Sequence, residues 1–267
     1  MTDAAPGIAP GARPPTVSVV VPSKNERANL PKLLASLPAD VDLLLCDASD
    51  DDTGLLAVNL RPQRTRVIPA QGTIAAARQL GAEQSRGELL VFSDADVVFA
   101  PDYFSRLAEL FADPAVDAVC GPKLSCDDFA TYYRGVAAAQ RVAYGLLGIA
   151  GASGSNMAIR RAAFASLGGF RLDLRCNEDT ELFLRAGRRG CRVAYDDGLV
   201  VWATDHRRLR RGLVWKSAHS LVRNTLLYLL CVRPTLPRLL VNDWGYWGGT
   251  GPHAAGRSAP PPYEVPS

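Results

Sequence analysis

The sequence predicts an α/β fold: a mostly parallel sheet with helices on both faces, followed by a basic helix near the C-terminal end. Three observations carry this. The 267 residues are 48% hydrophobic, enough for one large α/β domain with a full core and too apolar for a disordered chain. Short apolar runs alternate with helical patterns from residue 17 onward, which is the rhythm of βαβ units. The strand-like runs are continuously apolar rather than alternating, as strands buried on both faces require.

Each element has its own signal. Residues 17–21 form an unbroken β-branched or small run, and residues 28–37 carry a helical pattern. Residues 43–46 and 66–68 read as the second and third strands, and an Ala-rich helix covers 74–84 between the third strand and the fourth, 89–92. Pro101 opens the next helix, with Tyr103, Leu107 and Leu110 at helical spacing. Further on, residues 118–124 read as a strand, 129–147 as a long helix, and 148–154 as a glycine-rich break. A strand at 156–159, a helix at 161–167 ended by Gly168 and Gly169, and a helix at 179–188 come next. Strands at 192–195 and 199–202 precede a basic helix from about residue 210 to 231. This organisation divides the chain into a Pro- and Gly-rich leader (1–15), a ligand-binding half (16–100), a second half (101–205), a basic amphipathic segment (206–247) and a polar tail (248–267), with disorder expected at both ends.

Charge and cysteine usage narrow the class. The net charge of +3 is too small to mark a nucleic-acid binder, so no nucleic-acid partner is expected. Its distribution says more. From residue 206 to 238 the chain holds Arg207, Arg208, Arg210, Arg211, Lys216, Arg223, Arg233 and Arg238 and no acid, pointing to an anionic surface or substrate. The six cysteines include no Cys-x-x-Cys pair, which argues against a zinc site and for reduced, buried thiols in a cytoplasmic protein. The longest uncharged run, residues 142–159, contains four glycines, two serines and an asparagine, a poor membrane span. No basic region leads into an apolar stretch at the N-terminus, so no signal peptide is expected. The expected location is cytoplasmic, with peripheral attachment to the inner membrane face as an option.

The chemistry concentrates at strand ends, where open α/β sheets bind ligands. The fourth strand runs directly into Asp94 and Asp96. Two carboxylates so placed repel unless a cation intervenes, and a hard dication there, Mg²⁺ or Mn²⁺, would hold a diphosphate; the plain alternative is a polar turn before Pro101. Asp47 ends the second strand and could accept a hydrogen bond from a nucleotide base, whereas Asp50, Asp51 and Asp52 are explained by a turn and a helix cap. After the first strand, Pro22, Ser23, Lys24, Asn25 and Glu26 fit a capping box, with Ser23 as cap and Glu26 reaching back; the same loop lies where a nucleotide would. Arg78 sits among alanines and could reach a diphosphate or ribose, or simply be solvated. Glu178 and Asp179 open a helix, where acids complement the dipole, yet a carboxylate there could also serve as general base. His206 follows a strand and suits a metal or phosphate, or an ordinary surface position. Gly154, Ser155 and Asn156 form a small-residue stretch that a sugar could approach closely.

Taken together, these motifs resemble the family 2 glycosyltransferases over residues 17–205. The resemblance rests on residues 19–26, 47–53, 75–78, 86–96, 154–161, 168–170 and 177–179, whose order and spacing are more specific than any one of them. It implies the GT-A fold and an inverting transfer of one sugar from a UDP- or GDP-sugar. It also implies roles: Glu26, Asp47 and Arg78 at the donor, Asp94 and Asp96 at the metal, and Asp179 as catalytic base. The residue readings add Pro22, Asn25 and Asp94 at the donor, His206 at the metal, and Gly154, Ser155, Asn156 and Glu178 at the acceptor. Lys24 stands where the family often has an aromatic residue, and Cys46 where it often has an aspartate. The Gln-x-x-Arg-Trp motif of processive polysaccharide synthases is absent after Asp179, so a non-processive enzyme is expected. The basic C-terminal segment, interleaved with Leu and Val, reads either as an ordinary packing helix with a solvated basic face or as a membrane-facing helix, which would point to a lipid-linked acceptor such as a polyprenyl phosphate or glycolipid. The competing classes are a non-catalytic nucleotide-sugar-binding protein, opposed by the retained carboxylates, and a sugar-nucleotide nucleotidyltransferase, opposed by the lack of a Gly-x-Gly-x-Arg loop after the first strand.

Overall fold

The computed structural model describes residues 15–127, 129–148, 150–210 and 213–230. In chain order the elements are β1 (Val17–Ser23), α1 (Leu30–Ala35), β2 (Asp42–Asp47), α2 (Thr53–Leu60), β3 (Thr65–Pro69), α3 (Ile74–Gln84), β4 (Leu89–Phe92), β5 (Val97–Phe99), α4 (Tyr103–Ala112), β6 (Val116–Cys120), β7 (Lys123–Leu124), α5 (Ala130–Leu147), β8 (Met157–Arg160), α6 (Arg161–Leu167), α7 (Glu178–Arg188), β9 (Arg192–Tyr195), β10 (Val201–Ala203), α8 (Arg207–Arg210) and α9 (Leu213–Leu230). Seven strands form one sheet in the order β3-β2-β1-β4-β8-β6-β9, and β5, β10 and β7 form a second, smaller one. The large sheet is parallel except at β8, which runs antiparallel to both β4 and β6. The sheet is therefore the expected one, mostly parallel and covered on both faces.

The alternation of β1 shows how the cover is divided. Val19 and Val21 join the core under α1 and α4, with Leu30, Leu33, Leu107 and Phe111. Val20 points the other way, into the core under α3, α6 and α7, with Ala75, Phe164 and Phe183. Every one of these side chains is nearly or wholly removed from water, and at about 1.5–3 kcal/mol for each buried Val, Leu or Phe this two-sided core is the main source of stability. Helix α3 lies unusually close to the sheet because Gly81 faces Val20 and Cys46, and a methyl group there would collide with both.

Several boundaries differ from expectation. Helix α1 begins at Leu30, not 28, and the capping box does not form: Ser23 instead donates to Asp47 Oδ1 (2.6 Å). Residues 53–60 form α2, the helix that the Asp50–Asp52 cap implied, but Asp52 makes no side-chain cap bond and the first turn is tied instead by Asp51 Oδ1 accepting from Thr53 N (3.0 Å). The expected strand 118–124 is broken into β6 and β7, which lie in different sheets. Pro122 between them cannot donate to a ladder, and Gly121 packs against the Leu199 carbonyl, where a Cβ would not fit. The basic C-terminal helix is two helices, α8 and α9. The expected disorder at the termini concerns residues that lie, apart from residue 15, outside the described ones, as does Cys231.

Candidate active site

Parallel pairing brings the ends of β2, β1 and β4 to one edge of the sheet, so Asp47, Ser23 and the segment leading to Asp94 share that edge. At β2, Asp47 is 6% exposed. Its Oδ1 accepts from Ser23 Oγ (2.6 Å) and Ser49 Oγ (2.5 Å), which fixes the carboxylate without a counter-charge. The neighbouring loops are stitched by Asn25, a non-glycine residue at φ 56°: its N–H donates to Ser49 Oγ (2.8 Å) and its Oδ1 accepts from the Asp50 N–H (2.9 Å). Glu26 Oε2 accepts from Asn29 Nδ2 (2.7 Å), and Pro22 pairs with Cys46 in the β1–β2 register. The Cys46 thiol, buried against Gly81 of α3, is pushed up to about 12 by desolvation, so it stays protonated.

At β4 the chemistry is ionic. Arg78, on α3, is 3% exposed. Its guanidinium donates to Asp94 Oδ1 (2.8 Å), Glu178 Oε1 (2.5 Å) and the Gly154 carbonyl (2.9 Å), and its Nε is buried without a hydrogen-bond partner. Burial works against this charge, but Asp94 and Glu178 together outweigh it and hold the guanidinium above its usual value. Glu178 is raised in turn, chiefly by burial, with Arg78 opposing. Asp94 Oδ2 accepts from Ser155 Oγ (2.5 Å). Asp179 is reached through the same loop: Gly154 N–H donates to its Oδ2 (2.5 Å) and Thr180 N–H to its Oδ1 (2.6 Å). One network thus joins Asp94 to Asp179 through Arg78, Ser155 and Gly154.

Several expected roles require correction. Asn156 is completely buried. Its Oδ1 accepts from Tyr103 Oη (2.9 Å), and its Nδ2 donates to the Pro122 and Leu199 carbonyls (3.0 and 2.6 Å), so it clamps three elements, both its N–H bonds are used, and its burial keeps it from an incoming alcohol. Glu178 faces Arg78 and is 6% exposed, so its carboxylate is engaged inside the protein rather than turned toward an acceptor. Gly154 and Ser155 are likewise buried and spend their polar groups on Arg78, Asp179 and Asp94. His206 is 4% exposed, with Nε2 against Asp127 Oδ2 (2.6 Å) and Ser125 Oγ (3.3 Å) and Nδ1 against Tyr133 Oη (3.4 Å). Both ring nitrogens therefore face protein groups, not Asp94 or Asp96. Asp96 carries a partner that sequence reasoning missed, Lys123, whose Nζ lies 3.2 Å from Asp96 Oδ1. The only signal for Lys123 in the sequence is a lysine just after a Gly-Pro break, which is too common to single out.

Among the described residues no three His, Cys, Asp or Glu side chains are grouped to hold a metal by themselves. Asp94 and Asp96 still fit a dication of the kind carried by a nucleotide, because Mg²⁺ usually takes one or two carboxylates and completes its shell with water and substrate phosphates.

The family model for glycosyl transferase family 2 matches residues 18–168, which spans β1 through α6 and includes Asp47, Arg78, Asp94, Asp96 and Gly154. The chain belongs to glycosyl transferase family 2. Its relatives include the succinoglycan biosynthesis protein ExoA of Rhizobium meliloti, 27% identical over 70% of this chain and 60% of that protein. The uncharacterized glycosyltransferase EpsJ of Bacillus subtilis is 32% identical over 44% of this chain and 37% of its own length. The chain therefore covers well under two thirds of either relative. Among solved structures, a mannosyltransferase from Pyrobaculum calidifontis in complex with GDP-Man and Mn²⁺ superposes with a TM-score of 0.66 at 21% identity, over 90% of this chain and 71% of that one. The Staphylococcus aureus TarS fragment in complex with UDP-GlcNAc gives 0.59 at 19% identity, over 72% and 59%. Glucosyl-3-phosphoglycerate synthase from Mycobacterium tuberculosis, with Mn²⁺, UDP-glucose and phosphoglyceric acid, gives 0.57 at 22% identity, over 83% and 81%. These likenesses establish the GT-A fold. These three solved structures hold GDP-Man, UDP-GlcNAc and UDP-glucose respectively, two of them together with Mn²⁺.

Proposed function

We propose that this glycosyltransferase moves one sugar at a time from a UDP- or GDP-sugar to an acceptor hydroxyl or phosphate, with inversion and with a dication at Asp94 and Asp96. The observation that carries the reading is the single network linking Asp94 with Asp179. It sets the proposed donor carboxylate and the proposed base on opposite sides of the Arg78–Gly154 contact. Asp47, held by two hydroxyls and no cation, keeps Oδ2 for a base N–H of the nucleotide. Four carboxylates, Asp94, Asp96, Glu178 and Asp179, face two cations, Arg78 and Lys123, so the cleft repels a diphosphate until a dication enters. When bound, that dication supplies neutralisation of the charge that builds on the leaving diphosphate.

Asp179 is the proposed base. Two backbone N–H groups donate to it and fix its direction. It is partly exposed, as a group that meets an incoming alcohol must be. It would take the proton as the acceptor oxygen attacks the anomeric carbon from the face opposite the diphosphate, and one displacement inverts the configuration. Asp179→Asn should leave Mn²⁺-dependent nucleotide binding intact and lower transfer by about 10²–10⁴-fold, the usual contribution of a positioned base. Retained transfer in a folded variant would refute the assignment. A panel of nucleotide sugars screened for Mn²⁺-dependent thermal stabilisation identifies the donor, since a ligand at a hundred times its Kd stabilises by about 2.7 kcal/mol.

The acceptor is proposed to be lipid-linked, and the protein to lie against an anionic membrane. The support is the basic run of the C-terminal segment together with apolar Val222 and Leu229, exposed seven residues apart on α9 (50% and 61%). One of the segment's cations is not available to a membrane: Arg223 is fully buried and its Nε donates to Asn177 Oδ1 (3.0 Å), beside the proposed base. No helix among the described residues is long and apolar enough to cross a bilayer. The protein should sediment with anionic vesicles at low salt and be released as salt rises; failure to sediment at low salt removes this part of the proposal.

A further inference from the structure

Lys123 stands on β7, in the small sheet, and reaches back across the end of the large one. Its side chain is 14% exposed. Nζ lies 3.2 Å from Asp96 Oδ1 and 3.3 Å from Ser155 Oγ, and Ser155 Oγ in turn donates to Asp94 Oδ2. The ammonium is thereby connected to both carboxylates of the Asp-x-Asp pair. Among the described residues two of its three N–H bonds are used, so one remains for a ligand oxygen. Asp96 does not need this partner for stability, because it is 27% exposed and water could solvate it. Placing an ammonium where solvent would serve is destabilising for the fold, and such groups cluster where a ligand uses them.

We propose that Lys123 is a resident cation of the diphosphate subsite: it occupies Asp96 when no dication is present and takes a phosphate oxygen of the donor when one is. The inference rests on the nucleotide-sugar reading of Asp94 and Asp96, and it deepens that reading by making Lys123 a competitor of the metal and a partner of the substrate. The two roles predict shifts of opposite sign. Removing the ammonium frees Asp96, so the dication binds the ligand-free protein more tightly. The same change deprives the diphosphate of a donor, so the nucleotide binds more weakly.

The test uses the full chain and two probes. Mn²⁺ binding to ligand-free protein is followed by the loss of the free-ion electron paramagnetic resonance signal, and UDP and GDP binding at saturating Mn²⁺ by calorimetry. Lys123→Met should bind Mn²⁺ about tenfold more tightly and the preferred nucleotide about tenfold more weakly, the order expected for gain and loss of one charge-assisted contact. Lys123→Arg, which keeps the charge, should restore most of the nucleotide affinity. If Lys123→Met weakens both ligands together while circular dichroism and melting are unchanged, or moves neither, the inference is overturned. Wild-type protein that binds neither Mn²⁺ nor either nucleotide overturns the underlying reading of the site instead, and that result is separate because it appears before any substitution is made.

Discussion

The tips of β2 and β4 lie on the same edge of one sheet and hold carboxylates in opposite ways. At β2, Asp47 is fixed by Ser23 and Ser49, and the nearby ion pair, Arg27–Asp52, is on the surface. At β4, Asp94 is fixed by the buried Arg78, which also carries buried Glu178, and Asp96 is fixed by nearly buried Lys123. Hydroxyls orient a carboxylate without cancelling its charge, which leaves it a strong acceptor for a neutral N–H. Cations cancel part of the charge, which leaves a cluster whose balance shifts when another ion arrives. The first arrangement suits a nucleotide base, and the second suits a dication with its diphosphate. The same residue type thus does different work at two strand ends because of what surrounds it.

If charge at β4 is structural as well as chemical, breaking it there should be far more damaging than at β2. Arg78→Met leaves Glu178 buried without its counter-ion and should lower stability by about 3–5 kcal/mol, or roughly 10 °C in Tm for a domain of this size. Arg78→Met with Glu178→Met should recover much of that loss, since an apolar pair replaces an ionic one; a double variant no better than the single would show that the Asp94 contact carries the energy instead. The next effect is smaller. A Cβ at Gly154 would land on the Arg78 guanidinium, so Gly154→Ala should destabilise by about 1–3 kcal/mol. It should reduce transfer more than stability, because the same residue's N–H holds Asp179. Gly135→Ala on α5, where the new Cβ meets nothing within 4 Å, is the control and should stabilise by about 0.5–1 kcal/mol.

The contrast also explains what the sequence reveals. Asp47, Asp94 and Asp96 are legible because each follows a continuously apolar strand, and a charge at such a place has no packing reason to be there. The parallel sheet is legible for the same reason. The partners are not. Arg78 and Glu178 are 100 residues apart, and nothing in either helix marks the other. Lys123 looks like one more lysine after a turn until β7 is seen to leave the large sheet and bring it beside Asp96. The antiparallel strand β8 has the same apolar signature as its parallel neighbours, so its direction, and with it the inward placement of Ser155 and Asn156, is decided by tertiary contacts. The small residues at 154–156 are conspicuous in the sequence, but close approach to a sugar and close approach to a guanidinium call for the same small side chains, and here the guanidinium takes the space. His206 and Glu178 illustrate the same limit: a titratable side chain next to a catalytic motif reads as a ligand contact, and only burial and partners show that it faces inward.

The smallest effect is expected at the surface pair on the β2 side. Arg27 and Asp52 join the loop after β1 to the start of α2, with side chains 61% and 43% exposed. Both ions are well solvated apart, so the bond replaces water contacts of nearly equal strength and its formation must also order two side chains. Asp52→Ala should therefore change stability by no more than about 0–1 kcal/mol, with any loss fading as salt is raised. Nucleotide affinity should stay at the wild-type value, because the loop remains held by Asn25 through Ser49 and the Asp50 N–H. A large loss of nucleotide affinity on Asp52→Ala, measured by calorimetry, would mean that the β2 tip too depends on an ionic contact, and the division of labour between the two strand ends would have to be redrawn.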